Sequence, residues 1–337
     1  MEHSLVQGIK EIFSDVVGKR ILVIGDIMLD HYVWGKTSRL SPEAPVPLIN
    51  IEKESFKAGG AANVAINLKE VGVNTSLIGA IGRDDAGNHV AEMLREAGVN
   101  CDYRFTFPHL ETITKIRILA QNQHLCRLDR EQAAAKYALE SKLIDTYLDE
   151  KIELLDAIVL SDHGKGILED PVISAIVTKA KEKGVFLSCD PKLNPMRDFS
   201  GMNLLVLSLA EANQISARAG ENYNKLTDEE ICTRIYQLWK PEHLVITLGE
   251  RGMLYAEKGI FKFEQPTLGA DVFDEAGVGD SIISILTAVL LTGASMQDAI
   301  YLANVVAGLA VSKMGTAVIN SQEIIEHIEK ISESKED

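Results

Sequence analysis

Arg20-Ile-Leu-Val-Ile-Gly25 is a short apolar run that stops at Asp26. A run this short, without alternation, reads as a strand buried on both faces, that is, a parallel strand whose carboxyl end opens onto a loop. The same pattern returns downstream. Ala157-Ile-Val-Leu-Ser161 runs into Asp162-His-Gly-Lys165, and Val185-Phe-Leu-Ser-Cys-Asp190 runs into Pro191-Lys192. Leu204-Leu-Val-Leu207 precedes Ser208, and Leu244-Val-Ile-Thr-Leu248 precedes Gly249. Between these runs, apolar residues recur at helical spacing over 61–72, 85–97, 137–150, 170–183, 209–219 and 227–239. Strands alternating with helices predict an α/β fold with a doubly wound, mostly parallel sheet flanked by helices. Ligands of such sheets bind beyond the carboxyl ends of the strands, where Asp26, Asp162, Asp190 and Ser208 fall.

Two stretches break the alternation. Residues 31–57 and 103–130 have period-two character and no helical pattern. They read as antiparallel strands inserted into the α/β body, a small sheet suited to be a lid, a homodimer interface, or both. The expected organisation is a single domain over 1–330, with a charged tail, 331–337, that frays.

The formal net charge of -15 disfavours a nucleic-acid partner, which calls for a basic surplus. Any phosphate site must be made locally from Lys, Arg or backbone N–H groups. The cysteines at 101, 126, 189 and 232 fit neither a zinc spacing nor a disulfide framework, so reduced thiols in a cytoplasmic protein are expected. The N-terminus lacks the apolar stretch of a signal peptide, and no run approaches the ~20 apolar residues of a membrane span. The P-loop sequence is absent, and no Gly-x-Gly-x-x-Gly follows the first strand.

The segment with most chemical content is Asp274-Glu-Ala-Gly277-Val278-Gly279-Asp280, followed at once by an apolar helical run. Its glycines permit a tight turn, and its N–H groups then lie at a helix N-terminus, where an anion binds. Such donors suit a phosphoryl group in transfer. Asp280 can take the proton of an attacking hydroxyl, or it can simply cap the helix. Gly59-Gly60-Ala-Ala-Asn63 lets backbone approach a ligand and offers a two-way hydrogen-bonding amide for a polyol, or it is a helix start packed with small residues. Asp30 lies near the first strand end, where a carboxylate can accept from vicinal sugar hydroxyls. Lys115, Arg117, Arg127, Lys165 and Lys192 are candidate phosphate ligands or solvated cations.

In this order the segments resemble the ribokinase-like (PfkB) carbohydrate kinases, whose two signatures look like Gly59-Gly-x-x-Asn63 and Gly277-x-Gly-Asp280. Ser38-Arg-Leu-Ser-Pro-Glu-Ala-Pro-Val-Pro47, Thr114-Lys-Ile-Arg-Ile-Leu-Ala-Gln-Asn-Gln, Asp162-His-Gly-Lys-Gly and Asp190-Pro-Lys192 are similar to the branch that phosphorylates D-glycero-β-D-manno-heptose 7-phosphate for lipopolysaccharide core synthesis. The resemblance implies ATP as phosphoryl donor, with Asp280 as the base and Gly277, Val278 and Gly279 as the anion hole. It implies that Asp30, Gly59, Gly60 and Asn63 face the sugar, with Lys115, Arg117, Lys165 and Lys192 on its phosphate. Ser208 and Glu211 match the Asn-x-x-Glu that organises Mg²⁺ through water. Gly249, Gly252 and Asn304 match the nucleotide site, and Lys313-Met-Gly-Thr316 matches a segment where some members bind a monovalent cation such as K⁺. Ser208 replaces the usual Asn, and Val278 replaces the commoner Ala. The resemblance also implies the stand-alone form of a kinase that many bacteria fuse to an adenylyltransferase. The alternatives are a kinase of this family for another sugar or sugar phosphate, and a sugar-phosphate-binding protein that has lost catalysis.

Overall fold

Residues 21–25 are completely enclosed between two parallel neighbours, Ala157–Ser161 on one side and Asn74–Ile78 on the other. The computed structural model describes residues 2–121, 123–218, 226–268 and 272–333. Its main sheet has nine strands in the order Ile260–Gln265, Met253–Glu257, His243–Thr247, Leu204–Ser208, Phe186–Asp190, Ala157–Ser161, Arg20–Gly25, Asn74–Ile78 and Asn100–Cys101. All pairings are parallel except those of the Met253–Glu257 strand with its two neighbours. Alternate side chains of the first strand enter opposite cores. Ile21 and Val23 belong to the core that also holds Leu68, Ile285 and Val306, whereas Leu22 and Ile24 belong to the one that holds Ile144, Ile176 and Ile235. Helices cover both faces, as a doubly wound sheet requires.

The helices agree with the apolar spacing, with one shortened end. The helix expected from 137 begins at Ser141, because the Tyr137 hydroxyl is held by the Gln132 N–H and the Glu111 carbonyl. Asn74–Ile78 was not legible as a strand, since Thr75 and Ser76 interrupt its apolar run. The tail expected to fray from 331 is helical at its start. The last helix, Ser321–Glu333, passes through 331–333, anchored by the fully buried Ile324 and Ile328, and 334–337 lie outside the described residues. Among the described residues no helix is long and apolar enough to cross a membrane.

The second sheet has four strands in the order Pro47–Gly60, Ile27–Leu40, Ile113–Ala120 and Gln123–Arg130. Its strand Ile27–Leu40 follows the central strand after only Asp26, so the two sheets share a continuous chain at the site. Residues 103–112 do not join it, contrary to the alternation. Tyr103–Phe105 forms a short 3₁₀ turn, Thr106–Phe107 pairs with Ile81–Gly82, and Pro108 next in line has no N–H for a ladder.

Candidate active site

Strand register decides which side chains of the small sheet meet. Lys57, Asp30, Lys115 and Asp129 stand opposite one another across the four strands. Two residues further along, Ser55, Tyr32, Arg117 and Arg127 do the same. A displacement of two residues keeps the same face, so both rows share one surface. Asp30 is buried and forms a short ion pair with Arg117, whose guanidinium lies 5.1 Å from the centre of the Tyr32 ring. Arg127 pairs with Asp129 and Lys165 with Glu131. Among the described residues Lys115 makes no salt bridge. Burial lowers its pKa; Asp30 opposes this, and Lys165, Arg117 and Arg127 add to it. An ammonium crowded by other cations in this way favours an incoming dianion.

Gly59 is glycine because a Cβ there would come 2.4 Å from Asp30 Oδ2. Gly60 precedes the helix Ala61–Glu70 with φ of 60°, and a Cβ would meet the Asp26 carbonyl at 2.3 Å. Asp26, at the end of the first strand, is fully buried. Its carboxylate accepts the N–H groups of His163, Lys165 and Ile167 and so shapes the loop after Ser161. Asp162 does similar work, accepting from Gly164 N and Lys192 N.

Asp280 is 5% exposed, in the first turn of the helix Val278–Leu290. Its Oδ2 accepts from Asn63 Nδ2 at 2.9 Å, and His163 Nε2 lies 3.6 Å from its Oδ1. Asn63 in turn accepts on Oδ1 from Asn67. One N–H of the Asn63 amide therefore orients the carboxylate. Gly277 caps the helix at φ of 76°; a Cβ there would strike Asn63 Nδ2 at 2.7 Å and Thr316 Cγ2 at 2.9 Å. The first intrahelical bond is Ser281 N to Gly277 O, so the N–H groups of Gly279 and Asp280 are available at the helix start, as a phosphoryl site needs. The Val278 side chain packs against the core, and its N–H donates to the Glu275 carbonyl at 3.4 Å.

Behind Gly279 lies Asp190, and a Cβ on that glycine would be 3.2 Å from Asp190 Oδ2. Burial pushes the Asp190 carboxyl up to about 6, with Lys192 opposing and Glu211 adding to the shift. Lys192 departs from its expected grouping. Its ammonium sits 2.5 Å from Glu211 and 3.7 Å from Asp190, instead of joining the cations of the small sheet. Ser208 and Glu211 form a reciprocal helix cap: Ser208 N donates to Glu211 Oε2 at 2.8 Å, and Glu211 N donates to Ser208 Oγ at 3.3 Å. Serine keeps this cap, with the glutamate pointing back to the strand end. Gly249 and Gly252 have φ of 62° and 99° at the adjacent strand end. A Cβ on Gly249 would meet nothing, whereas Gly252 is pressed on the Gln265 carbonyl. Asn304 Nδ2 donates to the carbonyls of Gln265 and Pro266, so it holds the chain that borders this side.

The segment 313–316 closes the arrangement. Lys57 Nζ donates to Met314 O at 2.6 Å and to Thr316 O at 3.2 Å, and Thr316 Oγ1 donates to Ala58 O at 3.0 Å. Asp274 accepts from Gly315 N and Ala276 N. Where the resemblance implies a monovalent cation, two carbonyls thus already hold the Lys57 ammonium. Lys57 and Tyr32 were not singled out from the sequence; period-two placement of Lys57 on the face of Asp30 was the available signal.

Two glycine-built segments therefore meet at one buried carboxylate, under a cationic sheet. A family model for pfkB carbohydrate kinases matches residues 19–323. The chain belongs to that family. It is an ATP-dependent sugar kinase. It is 37% identical over 307 residues to the bifunctional protein HldE of Pectobacterium atrosepticum, covering 90% of this chain and 62% of that protein. It is also 37% identical to HldE of Helicobacter pylori over 308 residues, or 91% of this chain and 65% of the other. The chain thus spans somewhat less than two thirds of these relatives. Among solved structures it is similar to ribokinase from Thermotoga maritima, with a TM-score of 0.72, 19% identity, and coverage of 93% of this chain and 99% of that one. Ribokinase of Arabidopsis thaliana, solved with ribose and ATP, matches with a TM-score of 0.71 and 18% identity over 92% of this chain and 98% of that one. The ribokinase-like fold follows from these.

Proposed function

We propose that this kinase transfers the γ-phosphoryl of ATP to the anomeric hydroxyl of D-glycero-β-D-manno-heptose 7-phosphate, giving the 1,7-bisphosphate. The observation that carries the reading is the cationic face of the small sheet, Lys57, Lys115, Arg117 and Arg127 around Asp30, in a chain that resembles HldE. A free sugar has no need of such a face; an acceptor that already carries a phosphate does. Lys115, half-buried and without a salt-bridge partner among the described residues, is the leading ligand for that phosphate. Asp30 accepts from sugar hydroxyls beside Gly59 and Gly60.

In the reaction Asp280 takes the hydroxyl proton as the acceptor oxygen attacks in line. The N–H groups of Gly279 and Asp280 hold the transferring phosphoryl. Lys192, beside Asp190 and Glu211, is assigned to the nucleotide phosphates instead of the sugar phosphate. Mg²⁺, when bound, would supply charge neutralisation during transfer. Glu211 fits as its partner through water, because its oxygens retain acceptor capacity beyond Lys192 and Ser208. Exposed Ile51 and Leu128 on the small sheet support a homodimer through it, which sedimentation would reveal.

ADP release across a panel of sugars tests the assignment. Turnover of heptose 7-phosphate well above that of unphosphorylated heptose is the expected result. Equal use of phosphorylated and free sugars would overturn it.

A further inference from the structure

His163 has no part in the assignments above, yet every group around it points to the base. It follows Asp162 at the carboxyl end of the Ala157–Ser161 strand, and its backbone N–H is held by Asp26 Oδ2 at 2.9 Å. Ser161 Oγ lies 3.2 Å from its Nε2, and the same nitrogen is 3.6 Å from Asp280 Oδ1. Gly60 permits this placement: a Cβ there would come 3.2 Å from His163 Cδ2. The other oxygen of Asp280 is occupied by Asn63, so His163 approaches the oxygen that Asn63 leaves free.

On the reading that Asp280 is the base of a kinase, we propose that His163 is its proton partner, a positioning residue that receives from the carboxylate the proton drawn from the acceptor hydroxyl. The balance is simple. The acceptor O–H breaks as its oxygen bonds to the γ-phosphorus, and the bridging P–O bond breaks to leave ADP. The proton passes to Asp280 and then to His163 Nε2, and leaves to solvent from the imidazolium. Asp280 is thereby an anion again before the next acceptor binds. The relay uses the tautomer with its proton on Nδ1, in which Nε2 accepts from Ser161. The gap at Asp280 needs to close only to the usual roughly 2.6–3.2 Å, as catalytic hydrogen bonds do when substrate arrives.

The surroundings favour a bound proton. Burial acts against the imidazolium, but Asp280, Asp190 and Asp26 outweigh it, and the pKa is raised from its ordinary value. These carboxylates come from three different elements. The fourth and fifth neighbours, Ser161 and Gly60, carry no charge, and Lys192 beyond Asp190 is paired there with carboxylates. Because the relay starts from neutral imidazole, kcat rises with pH through the His163 pKa, above the usual ~6.5.

Two measurements test this, and the first needs no acceptor. In the free protein, the His163 ring resonances, assigned by their loss in His163→Gln, are titrated by NMR in the wild type and in Asp280→Asn. A midpoint above ~6.5 that falls when the carboxylate is removed is expected; a midpoint indifferent to Asp280→Asn overturns the pairing, whatever sugar the enzyme uses. The second is the pH dependence of kcat with the acceptor that the ADP screen identifies. His163→Gln and His163→Phe are both expected to lose the acidic limb, with a plateau lower on the order of tenfold, a fraction of the 10²–10⁴ that a general base contributes. A His163→Gln enzyme that keeps the wild-type limb would show a hydrogen-bonding role only and would overturn the relay.

Discussion

The two walls of the site are made in opposite ways. The wall at 274–280 is backbone: glycines, a left-handed turn and N–H groups at a helix start, with little room for any side chain. The facing wall, the small sheet, is side chain: Lys57, Lys115, Arg117 and Arg127 on one surface, with Asp30 among them. The difference separates two tasks. A transferring phosphoryl group has one shape in every reaction, and rigid dipoles serve it. An acceptor differs from enzyme to enzyme, and long side chains can be exchanged to suit it without disturbing the chain path.

Substitutions on each wall should therefore fail differently. The largest effect is expected at the carboxylate where the walls meet. Asp280→Asn keeps the shape and the hydrogen bond to Asn63 but cannot take a proton, so kcat should drop by ~10²–10⁴ with little change in KM. Steady-state ADP release reads this directly, and near-normal turnover would end the proposed role of Asp280. Gly277→Ala comes next. Its Cβ would push on Asn63 and Thr316 from a left-handed conformation. A displaced oxyanion-type donor costs roughly 10²–10³ in kcat, and the strain should cost about 1–3 kcal/mol of stability in a denaturant titration.

On the opposite wall Lys115→Met should spare kcat and raise KM. Hydrogen bonds to charged groups are worth about 1.5–3 kcal/mol, which gives roughly ten- to a hundredfold for a phosphorylated acceptor and little for a free sugar. A kcat defect with unchanged KM would mean that the walls do not divide their work in this way.

The smallest effect is expected at Asp190, a charge lodged behind the backbone wall. Its native pKa of about 6 lies above the ordinary 3.8. Between those values the native state holds more protons than the unfolded state, so stability falls as pH rises through that window. The cost is complete above pH 6 and absent below 3.8. Asp190→Asn removes it, and the variant should gain on the order of 2 kcal/mol at pH 8 and nothing at pH 3.5. Thermal melts across pH check the sign; equal melting curves at pH 8 would mean that Lys192 offsets the burial.

The backbone wall was the more legible of the two in the sequence, for a physical reason. A turn that excludes Cβ leaves a local record in glycine, so Gly59-Gly60 and Gly277-x-Gly279 could be read one residue after another. The central strands left equally local apolar runs. The side-chain wall depends on register and on partners far away along the chain. Lys57 and Thr316 meet across 259 residues, and no local pattern encodes that. Lys192 shows the limit from another side. Its position at a strand end was plain, but the choice between the small sheet and Glu211 rests on which strand lies next to Phe186–Asp190. Ser208 carried a local signal that was read only as a departure from Asn; as Ser-x-x-Glu it is also a helix cap.

On the proposed assignment of the site, the stitch between Lys57, Ala58 and the segment 314–316 would make the two substrates thermodynamic partners. One end of it continues into Gly59 and Gly60 beside the acceptor; the other packs on Gly277 beside the phosphoryl. Whatever free energy one ligand supplies to tighten that seam is already spent when the other arrives. Coupling of this kind is reciprocal. The factor by which ATP strengthens acceptor binding must equal the factor by which acceptor strengthens ATP binding, so neither substrate has an affinity that belongs to it alone.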